Sequence, residues 1–563
     1  MDRSIFVTGA AGEGIQTIGD VVARSFLAHG YPVFASQEFE SRIRGGNSSV
    51  RIRVSETPRN APREDADVLL ALNPAASAHY ANALHPDGLM ISADTTEDEG
   101  NHLEIPFVSL ATTHGGQEIY ANAVAAGALC AAVGLPFTVL EGVLSSTFAK
   151  RGEEIVRTNL AAARAGFHLA TDQLGGERVE DLPKRDKTYA FTSAHGMIPL
   201  AAAAAGCRFI SAYPMSPSTG IITSFARDTD LGVFAEQVED EISAINMAIG
   251  ASAAGVRAMT ATSGGGFALM VEGLSLAGMI ETPIVIVLAQ RPGPATGLPT
   301  RTAQEDLLFA IRAGHGEFPR VVLAPSDPQE AIDLTVRAFD LADRYQVPAI
   351  VLTDQHLADS HFSVESLDLP SEIPADHLAE PTHAKTYVRY APSDDGISPR
   401  LAFGQGGHTV CLDSDEHTPE GHISEDLRTV RPAATAKRFQ KTRHLREEIR
   451  PPQDDRTDDA ELILIGWGST RNAIAEAVDR LRSAGRKVGS IHFAELWPLP
   501  EAAPRENART WTVEGNATGQ LAQLLRGELG WSIEGTIGRS DGLPIDARFL
   551  VRHVTQQVME RTP

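Results

Sequence analysis

Short apolar runs of four or five residues recur along this chain, and several lead into a glycine- or serine-rich turn and then a stretch of helical period. Ser4–Thr8 precedes Gly9-Ala-Ala-Gly12-Glu-Gly14 and the helical stretch Ile15–Ala28. Arg257–Thr260 precedes Thr262-Ser263-Gly264-Gly265-Gly266, and Leu462–Ile465 precedes Gly466-Trp467-Gly468-Ser469. Strands of this length, alternating with helices, bury their apolar surface best as layered α/β domains. No internal repeat stands out, so a solenoid is not expected.

With 563 residues the chain has room for three or four domains at ~150 residues each. In the first part, Tyr31–Ala35, Val50–Val54 and Asp67–Ala71 read as strands, and Asn122–Val133 and Phe137–Ala170 as helical. The polar stretch Gly175–Lys187 reads as a linker. A second unit begins near Tyr189, with strands at Phe209–Ala212, Arg257–Thr260, Ile284–Leu288, Arg320–Leu323 and Ala349–Leu352. Ser326-Asp327-Pro328 marks a helix start, a capping side chain followed by proline. From about His361 to Asp459 the periodicity fades. Pro, Asp, Gly and His dominate there, and the basic run Lys437–Arg446 reads as part of a solvated connecting segment. A third α/β unit follows, with strands at Leu462–Ile465, Lys487–His492 and Thr510–Val513. The expected division is 1–185, 186–365, a connecting segment 366–457, and 458–563.

Lys plus Arg number 49 and Asp plus Glu 73, a net charge of −24. Such a field repels phosphate backbones, so nucleic acid is not an expected partner. No apolar run approaches a membrane span, and Met1-Asp2-Arg3-Ser4 does not open a signal peptide. Cys130, Cys207 and Cys411 are too scattered for a disulfide framework or a Cys-x-x-Cys site, which suits a reducing cytoplasm.

Several loops at strand ends carry residues with chemical potential. Gly9, Gly12 and Gly14 either let backbone N–H groups approach a phosphate or serve a tight turn that needs glycine. Their spacing is not the dinucleotide Gly-x-Gly-x-x-Gly, which disfavours a nicotinamide enzyme. Ser41-Arg42-Ile-Arg44-Gly45-Gly46 offers two guanidiniums to an anion, or is an ordinary charged loop. In Tyr213-Pro214-Met215-Ser216-Pro217-Ser218-Thr219 two prolines frame Ser216, while Ser218 and Thr219 suit a helix cap. Glu236, Glu239, Asp240 and Glu241 open a helix whose dipole accounts for most of them. Glu241 differs because it leads into a run of small and apolar residues expected to be buried, where an unpaired acid is costly. Ser263 and Arg291 leave neighbouring strands, as does the run to Thr296 and Thr300. In open α/β sheets such loops converge at the carboxyl ends of the strands.

These residues resemble the thiamine-diphosphate-dependent 2-oxoacid:ferredoxin oxidoreductases, specifically an α subunit with the γ domain fused at its N-terminus. The resemblance covers nearly the whole chain. Tyr213–Thr219 is similar to the family's Tyr-Pro-Ile-Thr-Pro loop, with Ser216 keeping the hydroxyl and losing a methyl. Glu239-Asp240-Glu241 with its small-residue helix, Thr260–Phe267 and Gln290–Thr300 are similar to further family blocks. Ser41–Gly46 resembles the γ domain, and Val513-Glu514-Gly515-Asn516-Ala517-Thr518-Gly519-Gln520 the C-terminal domain. Ser193-Ala194-His195-Gly196 departs from the family's Gly-Asn-Glu-Ala, and His195 is assigned no role.

The resemblance implies three α/β domains: a γ domain, a thiamine-pyrimidine-binding domain and a transketolase-C-terminal-like domain. It implies Glu241 at the thiamine ring nitrogen with Ser263 on the same side, and Ser216 and Arg291 at the substrate carboxylate, with Thr296 and Thr300 lining the pocket. Coenzyme A is expected near Gly12, Gly14, Ser41, Arg42 and Arg44. Mg²⁺, the diphosphate and a 4Fe-4S cluster are expected in a β subunit, with ferredoxin as electron acceptor and a dimer of αβ pairs as the assembly. The length and the fused γ domain resemble 2-oxoglutarate-type enzymes most, which convert their substrate to succinyl-CoA and CO2. Branched-chain or other short 2-oxoacids are the alternative, and a non-catalytic docking subunit a further one.

Overall fold

The computed structural model describes residues 1–41, 45–93, 101–175, 182–381, 386–503 and 508–559. The expected α/β class is found: the described residues form sheets of eight, seven and five strands. The chain divides into two compact units. One combines Met1–Thr192 with Asp359–Ser366 and Asp546–Arg552; the other combines Ser193–Ala358, Leu367–Ile545 and His553–Pro563.

In the first unit, strand Asp2–Ala11 lies at the middle of the eight-stranded sheet. It runs parallel to Ala66–Ala71 and antiparallel to Gly45–Ser55. Toward one end of the sheet His361–Val364 pairs with Val33–Glu38 and with the edge strand Ala190–Thr192. Helix Ile15–Ala28 has the limits its periodicity indicates and sends Ile18, Val22 and Phe26 into the core. The helical stretch expected over Phe137–Ala170 is instead two helices, Phe137–Phe148 and Glu153–Gln173. Gly152 separates them at φ 104°, a backbone angle that side chains rarely tolerate. Helix Ala121–Ala132 meets Glu153–Gln173 almost backbone to backbone. A Cβ at Gly127 would stand 1.9 Å from the Ala163 carbonyl oxygen, so no larger residue fits.

In the second unit the seven-stranded sheet runs in the order Glu495–Trp497, Val321–Leu323, Pro348–Asp354, Ile284–Gln290, Ala258–Thr262, Phe209–Ala212, Phe234–Gln237. All neighbours are parallel except the first pair. Every residue of Ile284–Gln290 and of Pro348–Asp354 is buried. Burial on both faces is the reason these strands read as unbroken apolar runs. Parallel strands bring their carboxyl ends to one rim, and the loops after Phe209–Ala212, Phe234–Gln237, Ala258–Thr262 and Ile284–Gln290 leave from it. Helix Pro328–Tyr345 begins as its sequence indicates, the Asp327 side chain accepting from the Glu330 N–H at 2.9 Å.

The segment read as solvated contains helix Val430–Glu448, and part of its basic run turns inward. Lys437 Nζ lies 2.8 Å from Glu281 Oε1, and Lys441 pairs with the same carboxylate. Burial pushes the Glu281 carboxyl up, but Lys441, Lys437 and Arg389 outweigh it and hold the group at about 2. Composition signals a charged surface; these charges instead satisfy one another inside. Among the described residues no helix is long and apolar enough to cross a membrane.

Candidate functional site

Strand Phe209–Ala212 leads into the proline-framed loop. Ser218 is not a side-chain cap for helix Thr219–Arg227; its hydroxyl donates to the Met215 carbonyl at 2.8 Å and closes the loop on itself. Ser216 remains exposed, and its carbonyl accepts from Arg291 Nη1 at 2.8 Å. Arg291 follows the fully buried strand Ile284–Gln290. It is half-buried and pairs with no carboxylate among the described residues, and burial alone pushes its guanidinium down from the usual value. Thr296 is exposed and Thr300 half-buried on the loop beyond it.

The four acids divide. Glu236 lies on strand Phe234–Gln237, Glu239 in an exposed turn, and Asp240 caps the helix by accepting from the Ser243 N–H at 2.7 Å. Glu241 is the first helical residue, 3% exposed, and its Oε1 is buried without a hydrogen-bond partner. It rests against helix Gly264–Met279: a Cβ on Gly266 would stand 2.5 Å from Glu241 Oε1 and 2.1 Å from Thr262 Oγ1. Ser263, at the N-cap of that helix, makes no capping bond, and its buried Oγ also lacks a partner. A buried carboxylate oxygen and a buried hydroxyl left unbonded are costly in a folded chain, and a ligand with complementary donors and acceptors removes the cost. Helix Glu241–Ala253 is not buried all round, as its sequence suggested. Ile242 is 50% and Met247 41% exposed, and Leu269 on the neighbouring helix is 50% exposed.

Three further residues belong to this rim. The Asp306 carboxylate packs against Gly264, where a Cβ would stand 2.6 Å from Oδ2. Burial, and then the charge of Glu305, push it up to about 6. Asp354, at the end of its strand, is pushed up to about 6 by burial, although the Ser469 hydroxyl donates to it. His195, given no role from sequence, has Nε2 2.8 Å from Thr353 Oγ1. Burial lowers it to about 4 against the opposing pull of the Pro217 carbonyl, so the ring is neutral at neutral pH. His195 lies on helix Ala194–Ala204, and only tertiary packing brings it to Thr353; the signal available in sequence was its place just after a strand.

In the first unit, Gly12 and Gly14 hold φ of 97° and 82°. A Cβ at Gly14 would stand 1.9 Å from Asn122 Nδ2, so the turn requires glycine there on structural grounds. Glu13 folds back into the turn and accepts from the Ala10 N–H at 2.8 Å. A cavity of about 780 Å³ opens beside Gly12, lined among others by Gln16, Asn122, Thr147, Phe148 and Arg151. Ser41 is exposed; Arg42 and Arg44 lie outside the described residues.

Known proteins bear on both units. Residues 200–435 match the family model described as pyruvate flavodoxin/ferredoxin oxidoreductase, thiamine diphosphate-binding, and residues 4–169 match the model for pyruvate ferredoxin/flavodoxin oxidoreductase. The chain is 31% identical to 2-oxoacid:ferredoxin oxidoreductase 1, subunit alpha, of Aeropyrum pernix, over 98% of this chain and 97% of that protein. It is 37% identical to the 2-oxoglutarate synthase subunit KorA of Methanothermobacter marburgensis, over 55% of this chain and 82% of that one. Among solved structures, the 2-oxoglutarate:ferredoxin oxidoreductase of Magnetococcus marinus, with 2-oxoglutarate, coenzyme A and succinyl-CoA bound, superposes with a TM-score of 0.91 at 31% identity. The superposition covers 98% of this chain and 99% of that one.

Proposed function

The chain belongs to the 2-oxoacid:ferredoxin oxidoreductase family as an α-type subunit of an oxidoreductase complex, and on that premise we propose that it serves a CoA-dependent oxidative decarboxylation of 2-oxoglutarate to succinyl-CoA and CO2. Residues 1–185, 186–365 and 458–563 are assigned as its γ, thiamine-pyrimidine-binding and C-terminal domains. The observation that carries the reading is Arg291, a half-buried cation without an acidic partner among the described residues, hydrogen-bonded to the Ser216 carbonyl. Such a group awaits an anion, and a guanidinium holds a carboxylate through paired hydrogen bonds.

In the same unit, the unbonded Glu241 Oε1 at Gly266 and the unbonded Ser263 Oγ fit the aminopyrimidine of thiamine diphosphate, a ring rich in donors and acceptors. When bound, that cofactor supplies the nucleophilic carbon and the electron sink for loss of CO2. This chain's residues bind and orient. Arg291 and the Ser216 hydroxyl hold the 1-carboxylate, and Thr296 and Thr300 line the space beyond. Glu241 Oε1 would exchange a proton with the ring nitrogen of the bound cofactor. The diphosphate, Mg²⁺ and a 4Fe-4S cluster are assigned to a β subunit, with ferredoxin beyond it and a dimer of αβ pairs as the assembly. The exposed Ile242, Met247 and Leu269 supply an apolar face for that β subunit. Coenzyme A is assigned to Gly12, Gly14 and Ser41, with Arg42 and Arg44, in the first unit. The free Cys130, Cys207 and Cys411 suit a reducing cytoplasm.

The test is to co-purify the chain with its partner and assay CoA-dependent reduction of a low-potential dye. The highest kcat/KM is expected with 2-oxoglutarate, ahead of 2-oxobutyrate and branched-chain 2-oxoacids; a preference for the latter would overturn the substrate assignment. Arg291→Lys keeps the charge and loses the fork. It should lower kcat/KM roughly ten- to a hundredfold for every 2-oxoacid, since losing a charge-assisted bond costs about 1.5–3 kcal/mol. A penalty confined to 2-oxoglutarate would move Arg291 to the distal carboxylate.

A further inference from the structure

The loop that carries Arg291, Thr296 and Thr300 is closed on itself and then locked from the C-terminal part of the same unit. Gln290 precedes the loop and Asp306 follows it, and Gln290 Oε1 accepts from the Asp306 N–H at 2.9 Å. The other end of that fully buried amide donates to the Thr353 carbonyl at 3.1 Å. Inside the loop, the Gly293 N–H donates to Glu305 Oε2 at 2.9 Å and the Leu298 N–H to the Pro292 carbonyl at 3.1 Å.

The stem is held from outside. The Thr302 N–H donates to the Gly542 carbonyl at 3.1 Å, and the Gln304 N–H to the Gly515 carbonyl at 2.7 Å. The Gln304 side chain, 2% exposed, accepts from the Gly515 N–H and donates to the Trp467 carbonyl, each at 2.9 Å. The Gln304 carbonyl accepts from Asn516 Nδ2 at 2.9 Å. Gln520 donates to the Glu305 carbonyl at 2.6 Å and accepts from the Leu308 N–H at 3.0 Å. An amide donates and accepts at once; a carboxylate or an alkyl group at Gln304 or Gln520 leaves buried backbone groups unpaired. None of the residues reaching in from 467, 515–520 and 542 has been assigned to the substrate pocket, yet together they supply the stem with these bonds.

We propose that Gln304, Glu305 and Gln520 are positioning residues that fix the Arg291–Thr300 loop, so that the C-terminal region sets the affinity for the 2-oxoacid. The inference rests on the reading of Arg291 as the ligand of the substrate carboxylate. Its test uses the complex with the partner subunit and four variants: Glu305→Ala, Gln520→Ala, Glu305→Gln and Arg291→Lys. KM and kcat are measured with 2-oxoglutarate, together with the rate of tryptic cleavage after Arg301, the Arg291–Pro292 bond being resistant. In the two alanine variants KM should rise about tenfold or more with kcat little changed, as expected when a binding group is misplaced, and cleavage at Arg301 should accelerate. Glu305→Gln keeps a carbonyl acceptor for the Gly293 N–H and should stay close to the unaltered protein. An unchanged KM in both alanine variants, where Arg291→Lys raises it, overturns the proposal, as does a fall in kcat and thermal stability without a change in KM. If Arg291→Lys also leaves KM unchanged, the reading of Arg291 has failed, and cleavage alone decides the clasp: faster cutting upholds it and an unchanged rate overturns it.

Discussion

Glu241 is expensive where it stands. A carboxylate 3% exposed with an unbonded oxygen is kept only if something arrives to bond it. Glu241→Gln preserves the volume and removes the proton-holding group, so turnover should fall about 10²–10⁴-fold with the thermal unfolding midpoint unchanged. Glu239→Gln, at an exposed turn residue two positions away, should leave turnover within about twofold, because surface charges contribute little. Unaltered turnover in the first variant would remove Glu241 from the site. His195 offers a second measurement. Its imidazole titrates near its ordinary value in the unfolded chain and at about 4 when folded. The stability it confers is therefore complete above pH 6.5 and is lost as pH falls toward 4. Asp306 and Asp354, raised to about 6, change stability in the opposite direction, losing their contribution as pH rises through 6. The comparison with His195→Gln isolates the histidine: the gap in unfolding free energy between the two proteins should shrink by about 3 kcal/mol between pH 7.5 and pH 4. A constant gap would mean that the folded ring takes up its proton at the same pH as in the unfolded chain.

At the scale of elements, helix Gly264–Met279 separates two roles for neighbouring glycines. Gly266→Ala drives a methyl into Thr262 Oγ1 and Glu241 Oε1, and should cost about 1–3 kcal/mol in unfolding free energy and most of the activity. At Gly265 the nearest atom to an added Cβ is the Ala295 carbonyl oxygen at 3.9 Å, so Gly265→Ala should be tolerated and gain up to about 1 kcal/mol of helix propensity. Parallel unfolding curves and assays of the two variants check both statements. The strands of this unit were legible in sequence because burial on both faces writes an unbroken apolar run, as in Ile284–Gln290. Ser263 and Arg291 were legible because they stand at the ends of such runs, and Glu241 because it leads into a run of small and apolar residues. The work of Gln304 was not, since it bonds Trp467 and Asn516, residues 163 and 212 positions away, and no local pattern records that. Helix Val430–Glu448 escaped for a related reason: its inward face is Lys437 and Lys441 neutralised by Glu281 and Arg438 neutralised by Glu416, which composition cannot distinguish from a solvated surface.

For the whole molecule, the exposed apolar face around Ile242, Met247 and Leu269 leads to a prediction about the isolated chain. Purified alone and supplied with thiamine diphosphate, Mg²⁺, CoA and 2-oxoglutarate, it should not turn over, and activity should appear on adding the partner subunit; turnover by the single chain would dispense with the partner. The first unit also bears on how the protein is made. Its sheet continues beyond Val33–Glu38 only through His361–Val364, and the Ser363 hydroxyl accepts from the Val33 N–H across 330 residues of chain. Strand Val33–Glu38 therefore leaves the ribosome long before its neighbour exists. At roughly 5–20 residues per second, synthesis leaves that apolar edge waiting for on the order of ten seconds or more. The nascent N-terminal unit spends that time with an open sheet edge, so it is during translation, rather than after release, that this protein has most need of a chaperone.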